Sequence, residues 1–147
     1  MEKWKQRVRD KLCDYGLQKS ALDNIPREIK RLEIESVSIR SATADGSPIK
    51  GGGNGREAHM IWNIMQREDL KRNMQMVTEG VTFVEGGLSV LTTEERRAVE
   101  MMYVYPQRNA AEQLRNEWAL EDKRSVYKRM DKILYKLTIA MYGVETS

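Results

Sequence analysis

Trp4, Val8, Leu12 and Tyr15 fall at near-helical spacing, and Leu22, Ile25, Ile29 and Leu32 resume the pattern after Gly16 and before or around Pro26. The spacing predicts two helices, or one interrupted helix. Pro26 is best placed in the first turn of the second, after Asp23 or Asn24 as cap, where its missing N–H costs nothing. The stretch Ser41 to Arg56 then loses all apolar periodicity and carries Gly46, Ser47, Pro48, Gly51, Gly52, Gly53, Asn54 and Gly55, the composition of a flexible linker. No Gly-Lys-Ser/Thr follows those glycines and no apolar strand precedes them, so they do not make a phosphate-binding loop.

A further helix is predicted from Glu57 to about Glu79. Ala58, Ile61, Trp62 and Met65 form one stripe, and Leu70, Met74, Val77 and Val81 continue it after a one-residue slip. Such a stripe either packs on the N-terminal helices or forms a dimer interface. Gly80, Gly86 and Gly87 are expected to loosen the chain before a third region begins.

That third region opens with two capping signatures, Thr92 with Glu95 and Asn109 with Glu112. The first helix should turn Ala98, Val99, Met102 and Tyr103 inward and stop at Pro106. The second should run from Ala110 to about Trp118, with Ala111, Leu114 and Trp118 on its inner face. After a break at Ala119, Leu120 and Glu121, Asp122 is a good N-cap for a final helix whose Val126, Met130, Ile133, Leu134, Leu137 and Met141 are spaced for burial. The fold class expected is therefore all-α. Residues 1–45 form an N-terminal helical region able to serve as a hairpin or dimerisation unit and 46–56 a Gly-rich linker. Residues 57–87 form a long amphipathic helix and connector, and 88–147 a three-helix helix-turn-helix domain.

Composition changes this picture in one respect. The net charge is only +3, too small to argue for a nucleic-acid partner by itself. Between Lys123 and Lys136, however, Lys123, Arg124, Lys128, Arg129, Lys132 and Lys136 face a single carboxylate, Asp131. A basic helix that follows a short turn meets the physical needs of major-groove reading: cations reach phosphates and guanine edges, and hydroxyls donate to phosphate. The candidate DNA-binding residues are Lys123, Arg124, Ser125, Tyr127, Lys128, Arg129 and Lys132 on the last helix, with Arg108 and Asn109 where the preceding helix starts. A basic solvent face on an ordinary amphipathic helix is the alternative reading of the same run.

One histidine, His59, and one cysteine, Cys13, leave no easy route to a nucleophile–base pair or a closed zinc site. Adjacent carboxylates such as Glu68 and Asp69 point apart on a helix. The expectation is a protein without enzymatic activity, cofactor or metal. The lone cysteine and the lack of an apolar leader or span lead to the expectation of a soluble cytoplasmic protein with no membrane partner.

Leu91, Glu94, Glu95, Arg96, Val99, Met102 and Tyr103, then Ser125 to Arg129, then the ending LTIAMYG from Leu137 to Gly143, resemble the phage transcription regulators of the RinA and ArpU type, whose C-terminal half is similar to region four of bacterial sigma factors. The chain departs from that pattern at Arg115, where alanine is usual, at Ala119, where glycine is common, and by one extra turn residue, Glu121. The resemblance implies a regulator of phage late or packaging genes. It would bind double-stranded DNA in a bacterial host cell, as a homodimer or beside RNA polymerase. Two other classes remain open: a packaging adaptor resembling a small terminase, and a polymerase-binding module that does not read DNA.

Overall fold

In the computed structural model, residues 2–44 and 52–144 are described, and every regular element among them is helical. They are α1 (Lys3–Ala44), α2 (Gly52–Leu88), α3 (Thr93–Val99), which runs on into a π-helical turn over Glu100–Val104, α4 (Ala110–Glu117) and α5 (Lys123–Tyr142). The protein is all-α, with an N-terminal helical region and a C-terminal multi-helix bundle. No helix among the described residues is long and apolar enough to cross a membrane.

Several local expectations change. α1 is one helix with Pro26 inside it, not two helices meeting at Pro26. The expected linker is helical up to Ala44 and again from Gly52, while residues 45–51 lie outside the described set. Gly80, Gly86 and Gly87 stay within α2, so the predicted connector is helix as far as Leu88.

The chain divides into two compact units. One comprises Ser20–Thr78, the facing stretches of α1 and α2. Its least exposed positions follow a 3,4 repeat: Leu22, Ile25, Ile29, Leu32, Ser36 and Ile39 on α1, and Met60, Asn63, Arg67, Leu70, Met74 and Val77 on α2. This is the a/d seam of an antiparallel coiled coil. Asn63 is fully buried in it without loss, because its amide donates to the Leu32 carbonyl at 2.9 Å and its Oδ1 accepts from Arg67 Nε at 2.9 Å. Beside the seam, His59 Nε2 lies 2.7 Å from Glu35 Oε1. The stripe of Ala58, Ile61, Trp62 and Met65 is not part of this packing. The one-residue slip puts Met60, Asn63 and Arg67 on the seam and turns the stripe outward.

The second unit comprises residues 1–19 and 79–147, of which 2–19 and 79–144 are described. Trp4, Val8, Leu12 and Tyr15 of α1 are all buried, as are Val81, Val84 and Leu88 of α2. On α5, Val126, Met130, Ile133, Leu134, Leu137 and Met141 are buried as their spacing predicts, each contributing about 1.5–3 kcal/mol as an upper estimate. Gly87 of α2 and Gly16 of α1 are each closely approached by another element. A Cβ on Gly87 would lie 2.4 Å from Met141 Cγ, and one on Gly16 would lie 2.4 Å from the Val104 carbonyl oxygen. Tyr15 adds a polar tie, its hydroxyl donating to Glu85 Oε1 at 2.7 Å; burial and that carboxylate push its ionisation above the usual phenol range.

The Thr92–Glu95 capping box forms reciprocally and starts α3. The π turn that follows inserts extra chain per turn and shifts the phase of burial. Met101 and Val104 therefore become core, whereas the expected Met102 and Tyr103 are only half-buried.

Candidate nucleic-acid interface

The last two helices are joined by a turn whose geometry can be read bond by bond. At the end of α4 the Ala119 N–H bonds the Asn116 carbonyl and the Leu120 N–H bonds the Arg115 carbonyl, at 3.2 and 3.0 Å. This pair of bonds is the Schellman motif. It requires a left-handed residue, and Ala119 supplies one at φ 53° although it carries a Cβ. Arg115, another departure from the resembled pattern, closes the same turn: its guanidinium donates to the Leu120 carbonyl at 3.3 Å while pairing with Glu112 at 2.6 Å. Ala119→Gly, at an exposed position, is expected to raise stability by about 1 kcal/mol by removing the left-handed penalty, measurable by chemical denaturation.

Asp122 then caps α5 as predicted. Its Oδ1 accepts from the Ser125 N–H at 2.8 Å and from the Ser125 hydroxyl at 2.9 Å. These bonds, together with nearby Arg124 and Lys128, hold the Asp122 carboxyl below the usual carboxylate range. The same contact gives Ser125 Oγ a role in the cap. Asn109, expected as the cap of α4, adopts φ 60° and makes no capping bond with its side chain, because a left-handed backbone does not present the side chain to the first turn as an extended one does.

Around this frame the candidate residues separate into three groups. Arg124, Lys128 and Lys132 are exposed at intervals of four, which places them along one ridge of α5, and none makes an ion pair among the described residues. Arg108 is likewise exposed at the start of α4. Arg129, by contrast, lies with its guanidinium carbon 4.1 Å from the Trp118 ring centroid and its Nη2 3.9 Å from Glu94 Oε2, so packing engages it. Lys136 is similarly tied to Glu95 at 2.9 Å, a contact that helps hold the Glu95 carboxyl low after the larger effect of the Thr92 backbone N–H.

The third group lines an open cleft of about 610 Å³ beside the ridge. It brings together Lys123, Tyr127 and Asn109 with Gln107, Tyr103, Lys5 and Arg9. Lys123 sits 3.9 Å from Glu112, and Tyr127 is about half exposed. Sequence reasoning missed Lys5 and Arg9 because more than a hundred residues separate them from α5. The available signal was the run Lys3, Lys5, Arg7 and Arg9 at the start of the chain. Lys5 donates to Asp131 Oδ2 at 2.9 Å, and that hydrogen bond raises its pKa above the ordinary lysine value. The one carboxylate within the basic run is thereby paired from α1, while Arg124 and Lys128 lie near the cap carboxylate of Asp122.

α3 and α4 hold this surface in place. Arg97 makes a two-pronged pair with Glu117, and Leu114 is buried with Ala98 and Val99 beneath α5. No protein-family model matches the chain, and neither a curated protein nor a solved structure is significantly similar to it.

Proposed function

We propose that the chain is a non-enzymatic, sequence-specific DNA-binding transcription regulator whose α4–turn–α5 segment acts as a helix-turn-helix. In this reading α5 enters the major groove, and Arg108 and the start of α4 contact the phosphate backbone. The observation that carries it is the exposed cation ridge Arg124, Lys128 and Lys132, without an ion pair among the described residues, on a helix whose first turn is capped and whose preceding turn is closed by a Schellman motif. A merely solvated basic face would need neither the short, hydrogen-bonded turn nor the compensation of Asp131 from another helix. Regulation of phage late or packaging genes with host RNA polymerase, as a homodimer or by tethering to the polymerase, is the role that fits a small module of modest intrinsic affinity.

The test is selection of bound fragments from the source genome, followed by titration against salt. A reader of this kind gives a discrete footprint and an affinity that falls with salt at a log–log slope of about −3 or steeper, from three or more phosphate contacts. Retention of polymerase without any footprint would instead support the polymerase-binding module.

A further inference from the structure

Asp131 is the only carboxylate between Lys123 and Lys136, and it shares a face of α5 with the cations around it. Arg124, Tyr127, Lys128 and Asp131 fall at i, i+3, i+4 and i+7, and this face carries two of the three ridge cations. The Asp131 side chain is 49% exposed. Lys5 Nζ occupies its Oδ2 at 2.9 Å, whereas Oδ1 accepts no hydrogen bond among the described residues. An exposed ion pair of this kind contributes little to stability. A carboxylate beside phosphate-seeking cations also opposes DNA of every sequence through its charge. What it adds to this face is the one capacity that lysine and arginine lack, the acceptance of a hydrogen bond.

We infer that Asp131 is a specificity-determining residue of α5, its open Oδ1 accepting from the N4 amine of a cytosine in the bound site while Lys5 holds the other oxygen and offsets the charge. The chemistry of the groove selects this base. Arginine and lysine read the O6 and N7 acceptors of guanine, so a carboxylate finds its partner only at an exocyclic amine. Adenine sets the N7 lone pair beside its N6 amine and repels a carboxylate there. Cytosine carries its amine with no acceptor next to it on the major-groove edge. The inference rests on the DNA reading of α5 and adds to it a base that the ridge cations do not select.

The experiment compares the full chain with its Asp131→Ala variant, which should fold as the parent does because the side chain is half exposed. Both are titrated by fluorescence anisotropy against the parent's selected site, against that site with each C·G pair changed in turn to T·A, and against unrelated DNA. At one such pair the parent is expected to lose about 10-fold in affinity. The variant should bind the two versions of that pair equally, and should hold unrelated DNA a few-fold more tightly, roughly the effect of removing one anion from beside the phosphates. Retention of every parental C·G preference by the variant overturns the inference and leaves the cation ridge in place. Equal weakening on selected and unrelated DNA overturns it as well, since the side chain would then act only through the fold. A parent that selects no sequence removes the DNA reading and this inference together.

Discussion

With Arg124, Lys128 and Lys132 all replaced by alanine, the chain is expected to lose DNA affinity on the order of 100-fold or more near physiological salt, and the salt slope should flatten by roughly 2 to 3. The reasoning is electrostatic. Each cation that neutralises a phosphate releases a condensed counterion, and none of these three side chains has a direct ion pair among the described residues to break before it does so. The fold should be intact, because the three side chains are exposed and α5 is held from its other face by Val126, Met130, Ile133, Leu134 and Leu137. Arg129→Ala provides the contrast. Its guanidinium lies on Trp118, so its loss should lower thermal stability while changing the salt slope by less than one unit. Fluorescence anisotropy with a selected fragment, repeated at several salt concentrations, measures both. Equal slopes for the triple variant and the parent would remove the ridge from the interface.

Gly16→Ala is the second large effect, and it concerns the fold. A methyl at this position would sit 2.4 Å from the Val104 carbonyl oxygen and 3.3 Å from its carbon, against backbone that no rotamer change can move aside. α1 or the π turn must shift by close to an ångström, disturbing the buried row of Leu12 and Tyr15 on one side and Met101 and Val104 on the other. Overpacking of this kind outweighs the gain of about 1 kcal/mol that alanine brings to a helix, and a net loss of about 2 kcal/mol is expected. For a domain of this size that lowers Tm by about 4–8 °C in calorimetry. Gly86→Ala tests the cause, because nothing lies within 4 Å of its added Cβ. There the propensity term acts alone, and a small rise in stability, roughly 0.5 kcal/mol, is expected. Identical shifts for the two substitutions would mean that the close approach at Gly16 does not constrain the packing.

The local signals in the C-terminal bundle were legible for a physical reason: each is settled within a few residues. Thr92 and Glu95 satisfy each other's N–H groups, Asp122 satisfies that of Ser125, and the six apolar positions of α5 need only a common face. Asn109 failed as a cap because the same residue type also tolerates the left-handed region, and the approach from Pro106 uses it that way. The candidate site was half legible. The cations of α5 are visible as a run, but which of them are spent on Trp118, Glu94, Glu95 and Glu112 depends on helices brought together from elsewhere. Lys5 and Arg9 enter the cleft only because the first turns of α1 pack on α5, where Trp4 meets Tyr135 with ring centroids 5.8 Å apart.

Glycine and proline show the division most plainly. By itself the sequence determined that the chain is helical, where α3 and α5 begin, and which faces of α1 and α5 are apolar, because propensity, capping and periodicity act over one or two turns. It did not determine what interrupts a helix. Gly16, Gly80, Gly86, Gly87 and Pro26 all read as breaks, yet all lie within helices, since a long partnered helix offsets a weak residue that would end a short one. Tertiary structure decided that Gly16, Gly80 and Gly87 are points of close approach, that Asn63 and Arg67 rather than Ile61 and Trp62 occupy the seam, and that a π turn reassigns the core positions after Val99. The common cause is register. A seam shared by two helices is fixed over its whole length, so the strong apolar repeat at Leu70, Met74 and Val77 sets which residues lie inside ten positions away and leaves the local stripe outside.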